Sequence, residues 1–176
     1  MDRLIVNVAC GGWYVDGQRR LQRSLLVVGE PAAFMGWPDS FPPDSLPWPE
    51  YRTGFKAAAL REASRHAPVI VWADASLYAV RPLTPLWAKI ERDGYYVQNN
   101  GWNLGQWSSD ETLRVFGINR DEAFSISEAS GCLMGLDLRH AAAKKFLDRY
   151  CELSTTTQLF HGPEMNDNGL PQKIGC

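Results

Sequence analysis

Val69-Ile70-Val71-Trp72-Ala73-Asp74-Ala75-Ser76 carries five apolar residues, three of them β-branched, and then a carboxylate. A short apolar run of this kind reads as a strand buried on both faces, the pattern of a parallel sheet with helices on either side. Asp74 then stands at the strand's carboxyl edge. A carboxylate there is costly unless it is hydrogen-bonded or offset by a cation. It can hold a hydrated divalent ion, or it can simply cap the turn that follows.

Working outward, Phe55 to His66 (FKAAALREASRH) reads as a helix, with a cap at Thr53 and Pro68 beyond its end. Upstream, Leu4 to Ala9 is a second apolar run; Gly11 and Gly12 stop it, and Leu21, Leu25 and Val28 give helical spacing over Gly17–Val28. Between these units, six prolines from Pro31 to Pro49 leave a loop with one short strand over Ala33–Trp37.

Downstream, Pro82 and Pro85 open a helix over Leu83–Arg92, Gly94 stops it, and Tyr95–Gln98 is a strand. Asn99 to Trp107 reads as a polar, aromatic loop. Helices follow from Ser109 to Phe116 and, capped by Asn119, through Phe124. Cys132–Leu136 is a late strand and Ala141–Leu153 a long helix. Strands alternating with helices predict an α/β fold, a three-layer α/β/α sandwich with a mostly parallel sheet. The expected organisation is one domain over residues 1–176, with a Pro-rich loop at about 38–50 and a loosely structured tail from about 154.

The chain has 176 residues, 45% hydrophobic and 22% charged, which excludes a wholly disordered protein. A net charge of -2 gives no strong field of either sign and speaks against a nucleic-acid partner, although Arg19, Arg20 and Arg23 form a local basic group. The four cysteines are scattered without a Cys-x-x-Cys pair and read as reduced thiols of a cytoplasmic chain. No stretch reaches the 18 or so apolar residues that span a bilayer.

In open α/β sheets, ligands sit outside the carboxyl ends of the strands. That selects the Gly11–Tyr14 turn, the Asp74–Ser76 turn and the segment after Gln98, and predicts that they converge. Gly11 and Gly12 let backbone N–H groups approach a phosphate, or make a tight turn and nothing more. The third glycine of the dinucleotide fingerprint is missing. Trp13 and Tyr14 can stack on a base or pack. Arg19, Arg20 and Lys56 are candidate phosphate partners, or the arginines form a solvated charged face. Asn99, Asn100, Asn103 and Gln106, beside Trp102 and Trp107, suit sugar hydroxyls and ring faces. Asp110 and Glu111 can orient an acceptor hydroxyl or serve helix capping. His161, in His-Gly-Pro, can ligate a metal, bind phosphate or lie on a surface loop.

The Val69–Ser76 run, with Leu77-Tyr78 and Arg81-Pro82-Leu83 after it and Phe55-Lys56-Ala57 before it, resembles the GT-A glycosyltransferases, especially small bacterial and phage members. Asn7–Tyr14, the Gln18–Leu26 helix, Gln98–Asn103 and Ser130–Leu136 extend the likeness from residue 4 to about 165. The resemblance implies transfer of a sugar from a nucleotide-diphosphate donor, such as a UDP-sugar, to a hydroxyl acceptor, assisted by manganese or magnesium. It also implies that Gly11 and Gly12 lie by the nucleotide, that Asp74 touches the ribose or the metal, that Asn99–Asn103 lies near sugar or acceptor, and that His161 helps to hold the metal. Beside these, the residues themselves offer Tyr14, Arg20 and Lys56 to the nucleotide, Ser76 as a weaker hydroxyl ligand to the metal, and Asn100, Asp110 and Glu111 to sugar or acceptor. Two departures stand out. Ser76 replaces the family's second Asp, and the tail ends early, as in a truncated or degenerate member. The alternative is a non-catalytic nucleotide-sugar or carbohydrate binding module.

Overall fold

Five strands and seven helices alternate along the computed structural model, which describes residues 2–46 and 54–156. The strands are β1 (Arg3–Ala9), β2 (Ala33–Pro38), β3 (Val69–Ala73), β4 (Tyr95–Asn103) and β5 (Ser127–Asp137). The helices are α1 (Gly12–Val27), α2 (Phe55–Ala63), α3 (Thr84–Asp93), α4 (Leu104–Trp107), α5 (Asp110–Phe116), α6 (Arg120–Phe124) and α7 (Ala141–Thr156).

The sheet order is β2-β1-β3-β5-β4. β1 pairs in parallel with both β2 and β3, whereas β5 runs antiparallel to β3 and to β4. The sheet is therefore mixed: four strands share one direction, as a mostly parallel sheet would have them, and β5 alone runs against them. Strand–helix alternation gave the expectation of a mostly parallel sheet; β5 departs from it because the three short helices α4–α6 keep the chain at the end where β4 finished, with Asn103 opposite Ser127. β5 consequently enters in reverse.

Side-chain alternation assigns the two faces. Leu4, Val6, Ile70 and Trp72 pack with Leu60 of α2 and Leu147 of α7. Ile5, Val71 and Ala73 pack on the other face with Leu21 and Leu25 of α1 and with Trp87 and Ile90 of α3. Helices thus cover both faces. A buried polar bridge ties the layers together: Gln18 Nε2 donates to Asn7 Oδ1 at 2.8 Å, and Asn7 Nδ2 donates to the Ala73 carbonyl at 2.6 Å.

Several element ends differ from the sequence reading. α1 starts at Gly12 rather than Gly17, because Val15 and Gln18 continue the buried stripe of Leu21 and Leu25 toward the N-terminus. β4 runs on to Asn103, so the amide-rich segment is strand and not loop; β5 pairs with it through Gln98, Asn99 and Asn103. α4 then replaces the end of the expected loop, with a capping box between Asn103 and Gln106. β5 is longer than expected, and α7 continues to Thr156. The Thr53 cap, His161 and all of the tail after Thr156 lie outside the described residues. Among the described residues, no helix is long and apolar enough to cross a membrane.

Asp137 at the end of β5 is 1% exposed and accepts from Arg139 Nε at 2.9 Å, Arg139 Nη2 at 2.7 Å and the Arg139 backbone N–H at 2.9 Å. Burial alone would raise its pKa, but these bonds to the charged form outweigh burial and hold it below the ordinary carboxylate value. A lowered folded-state pKa stabilises the protein above the unfolded carboxylate pKa of about 3.9. That stabilisation is lost as pH falls through the folded value. Urea midpoints measured from neutral pH downward should therefore fall below about pH 4, and Asp137→Asn should be less stable at neutral pH with a shallower acid slope.

Candidate functional site

β2 lies on one side of β1 and β3 on the other, so the order of the chain reverses across β1. The crevice beyond the carboxyl ends of β1 and β3 is a topological switch point. A cleft of about 440 Å³ opens there, lined by Val8, Cys10, Gly11 and Tyr14 from the first crossing and by Trp72, Asp74, Ala75 and Ser76 from the second. Phe41, Phe55 and Lys56 complete its wall.

The β1–α1 turn uses Gly11 at φ 84, a backbone region that glycine enters without strain. Its N–H donates to Asp39 Oδ1 at 3.1 Å, and the Asp39 N–H donates to the Ala9 carbonyl at 2.7 Å. Asp39, itself at φ 50, thereby clamps the turn after β1 to the one after β2. Sequence reading missed it; Pro38-Asp39 at the end of an edge strand was its one local signal. α1 has no acidic side chain in its first turn and no side-chain cap. Trp13, 93% exposed, and Tyr14 stand at its N-terminus.

Asp74 is 24% exposed and faces the cleft. Its Oδ1 accepts from Trp72 Nε1 at 2.7 Å and lies 3.1 Å from Lys56 Nζ. Lys56 Nζ also donates to the Gly131 carbonyl at 3.0 Å and lies 5.2 Å from the centre of the Trp72 ring. The Gly131 contact depends on an irregularity in β5. Val97 pairs with Met134 but Gln98 pairs with Ser130, so the register skips Gly131, Cys132 and Leu133. At this bulge the Gly131 carbonyl accepts from Lys56, while the Asp74 N–H donates to the Cys132 carbonyl at 2.9 Å in continuation of the β3–β5 ladder.

Two thiols adjoin the site. Burial raises the pKa of Cys132, with Ser130 opposing and Asp74 reinforcing. Burial and then Asp39 raise that of Cys10. Both are protonated at neutral pH, and neither is poised as a nucleophile.

The other candidates are placed differently. Arg20 donates to the carbonyls of Ala75 and Ser76 at 3.2 and 3.1 Å, and so holds the turn after β3 from the α1 side. Gly12 is the first residue of α1 and does not line the cleft. Asn100 Nδ2 donates to Glu128 at 2.8 Å, Asp110 is paired with Arg120, and Glu111 accepts from Arg114 at 3.0 Å. None of these three lines the cleft. β4 points the same way as β3, so the amide-rich end leaves the sheet at the same edge, but β5 stands between. The expected convergence of three segments is thus observed for two.

Among the described residues, no three His, Cys, Asp or Glu side chains gather as a metal site. Asp74 is the one carboxylate among the described cleft-lining residues, and its Oδ1 is occupied by an indole N–H and an ammonium. Asp74 is thus the one anionic oxygen donor that the described cleft residues offer a divalent ion. No protein-family model and no curated protein matches the chain.

Proposed function

We propose that the chain binds a nucleoside-diphosphate sugar in this cleft and transfers the sugar to a hydroxyl acceptor. The observation that carries the reading is the meeting of the Gly11 turn, the start of α1 and the Lys56–Asp74 pair at the β1/β3 switch point. Gly11 carries no side chain to block a close approach, although its own N–H is taken by Asp39, and the start of a sixteen-residue helix favours phosphate. Tyr14 and Phe41 supply apolar wall for a base or sugar face. In the transfer, the bond between the sugar's anomeric carbon and the diphosphate oxygen breaks, and the acceptor oxygen bonds to that carbon. The acceptor's proton passes to solvent or a base. Lys56 stands where it can stabilise the charge left on the diphosphate.

A specific observation favours the second reading, a binding module without turnover. Asp110, Glu111 and Asn100, the residues expected to serve the acceptor, are each engaged by a partner outside the cleft.

Calorimetric titration with UDP-, GDP-, ADP-, CDP- and dTDP-sugars, with and without manganese, tests both, with free nucleoside diphosphate followed over hours. Transfer predicts saturable heat and slow donor hydrolysis, both lost in Asp74→Asn. Heat without hydrolysis selects the binding module. Absence of heat with all five rejects the nucleotide reading.

A further inference from the structure

Lys56 is a strange residue to find in the wall of a cleft. Its side chain is 8% exposed, and its helix neighbours Ala57, Ala59 and Leu60 are wholly buried. A lysine is kept so deep only when its charge is matched. Here the match is complete on the protein side: Asp74 Oδ1 at 3.1 Å, the Gly131 carbonyl at 3.0 Å and the face of Trp72. An ammonium carries three protons, and the two oxygens take two. Lys56 still lines the cleft, so the third is left for whatever enters.

A divalent ion on Asp74 Oδ1 would have to displace this ammonium. An ion on either oxygen of Asp74 would lie against the ammonium and be repelled by it, and a displaced Lys56 would stay buried without its counter-charge. The alternative second ligand is a serine hydroxyl at Ser76, a far weaker hard-metal donor than a carboxylate.

Resting on the nucleotide reading above, we infer that Lys56 takes the place of a divalent ion: the cleft holds a nucleoside diphosphate without metal, and Asp74 serves to position the lysine. Asp74 is then a positioning residue, and the ligand's charge meets Lys56 and the start of α1.

The test is calorimetry with UDP, GDP, ADP, CDP and dTDP on the wild-type chain, once in EDTA and once in manganese, repeated with Lys56→Met and Lys56→Arg. The best-binding nucleotide should have the same wild-type affinity in both buffers. Lys56→Met in EDTA should bind at least about tenfold more weakly, the size of one charge-assisted hydrogen bond. Manganese should recover part of that loss, because Asp74 is then free to take the ion, and Lys56→Arg should lose less than Lys56→Met in EDTA. Near-ultraviolet circular dichroism checks the fold of each variant; should Lys56→Met not fold, the wild-type comparison decides alone. Wild-type binding that needs manganese, or a Lys56→Met chain with undiminished affinity in EDTA, overturns the inference and leaves the nucleotide reading standing. No binding of any of the five in either buffer overturns both.

Discussion

Trp72→Ala should destabilise the protein by about 3–5 kcal/mol, the usual cost of emptying a buried aromatic site. Trp72 is 1% exposed, sits in the layer under α2 and α7, and its ring lies 6.0 Å from that of Phe55. For a chain of this size the melting temperature should fall by roughly 6–20 °C. The loss should not be confined to packing. The indole N–H holds Asp74 Oδ1, and the ring face lies against the Lys56 ammonium. Trp72→Phe separates the two effects. It keeps most of the volume, so a smaller loss of stability is expected, but it removes the N–H and should still weaken nucleotide binding. Denaturant midpoints and calorimetry on the two variants check this, and a Trp72→Phe chain that binds like wild type would remove the indole from the site.

Gly17→Val should destabilise by about 2–3 kcal/mol, although helix propensity alone predicts the opposite sign. Gly17 is buried on the face of α1 that crosses the turn after β3. A Cβ there would collide with the Ala75 carbonyl oxygen and come within 3.1 Å of its carbon. Both are backbone atoms, so relief requires α1 and the turn to separate. Arg20 and Ser24 fasten α1 to the same segment, through the Ala75 and Ser76 carbonyls and through the Ala79 N–H at 2.8 Å. Separation would therefore shift Asp74 as well. Gly12→Ala is the control: a Cβ at Gly12 meets nothing within 4 Å, and its stability should be unchanged or slightly raised. A stabilised Gly17→Val chain would contradict the described contact between α1 and the turn.

Much of the fold was legible because its signals are local. Val69–Ala73 announces a doubly buried strand by composition, and Asp74 at its end announces the carboxyl edge. Gly94 and Gly117 end their helices in the left-handed conformation, and Ser109 and Asn119 cap theirs with side-chain oxygens accepting backbone N–H bonds. Direction and long-range pairing were not legible in this way. Nothing in the composition of Cys132–Leu136 says that it runs against β3, and the amides of Asn99–Asn103 gave no strand signal until β5 lay beside them.

The site shows the same division. Lys56 and Asp74 were each readable as charged residues next to apolar runs, but they are eighteen positions apart and no periodicity pairs them. Their meeting follows from α2 packing over β3 while the β5 bulge brings in Gly131. Asp39 and the Asn7–Gln18 bridge were missed for the same reason: each is defined by a partner on another element. Asp110 and Glu111, read as groups that orient an acceptor or serve helix capping, stand in the first turn of α5 and are engaged by Arg120 and Arg114 respectively.

The most direct test of the account follows backbone amide shifts residue by residue while a nucleoside diphosphate is titrated into the labelled chain. The account predicts that Gly11, Gly12, Trp13, Lys56 and Asp74 to Ser76 move together with one shared affinity. Shifts confined to β4, α4 and α5, or no shift at the β1/β3 crevice at saturating nucleotide, would contradict it.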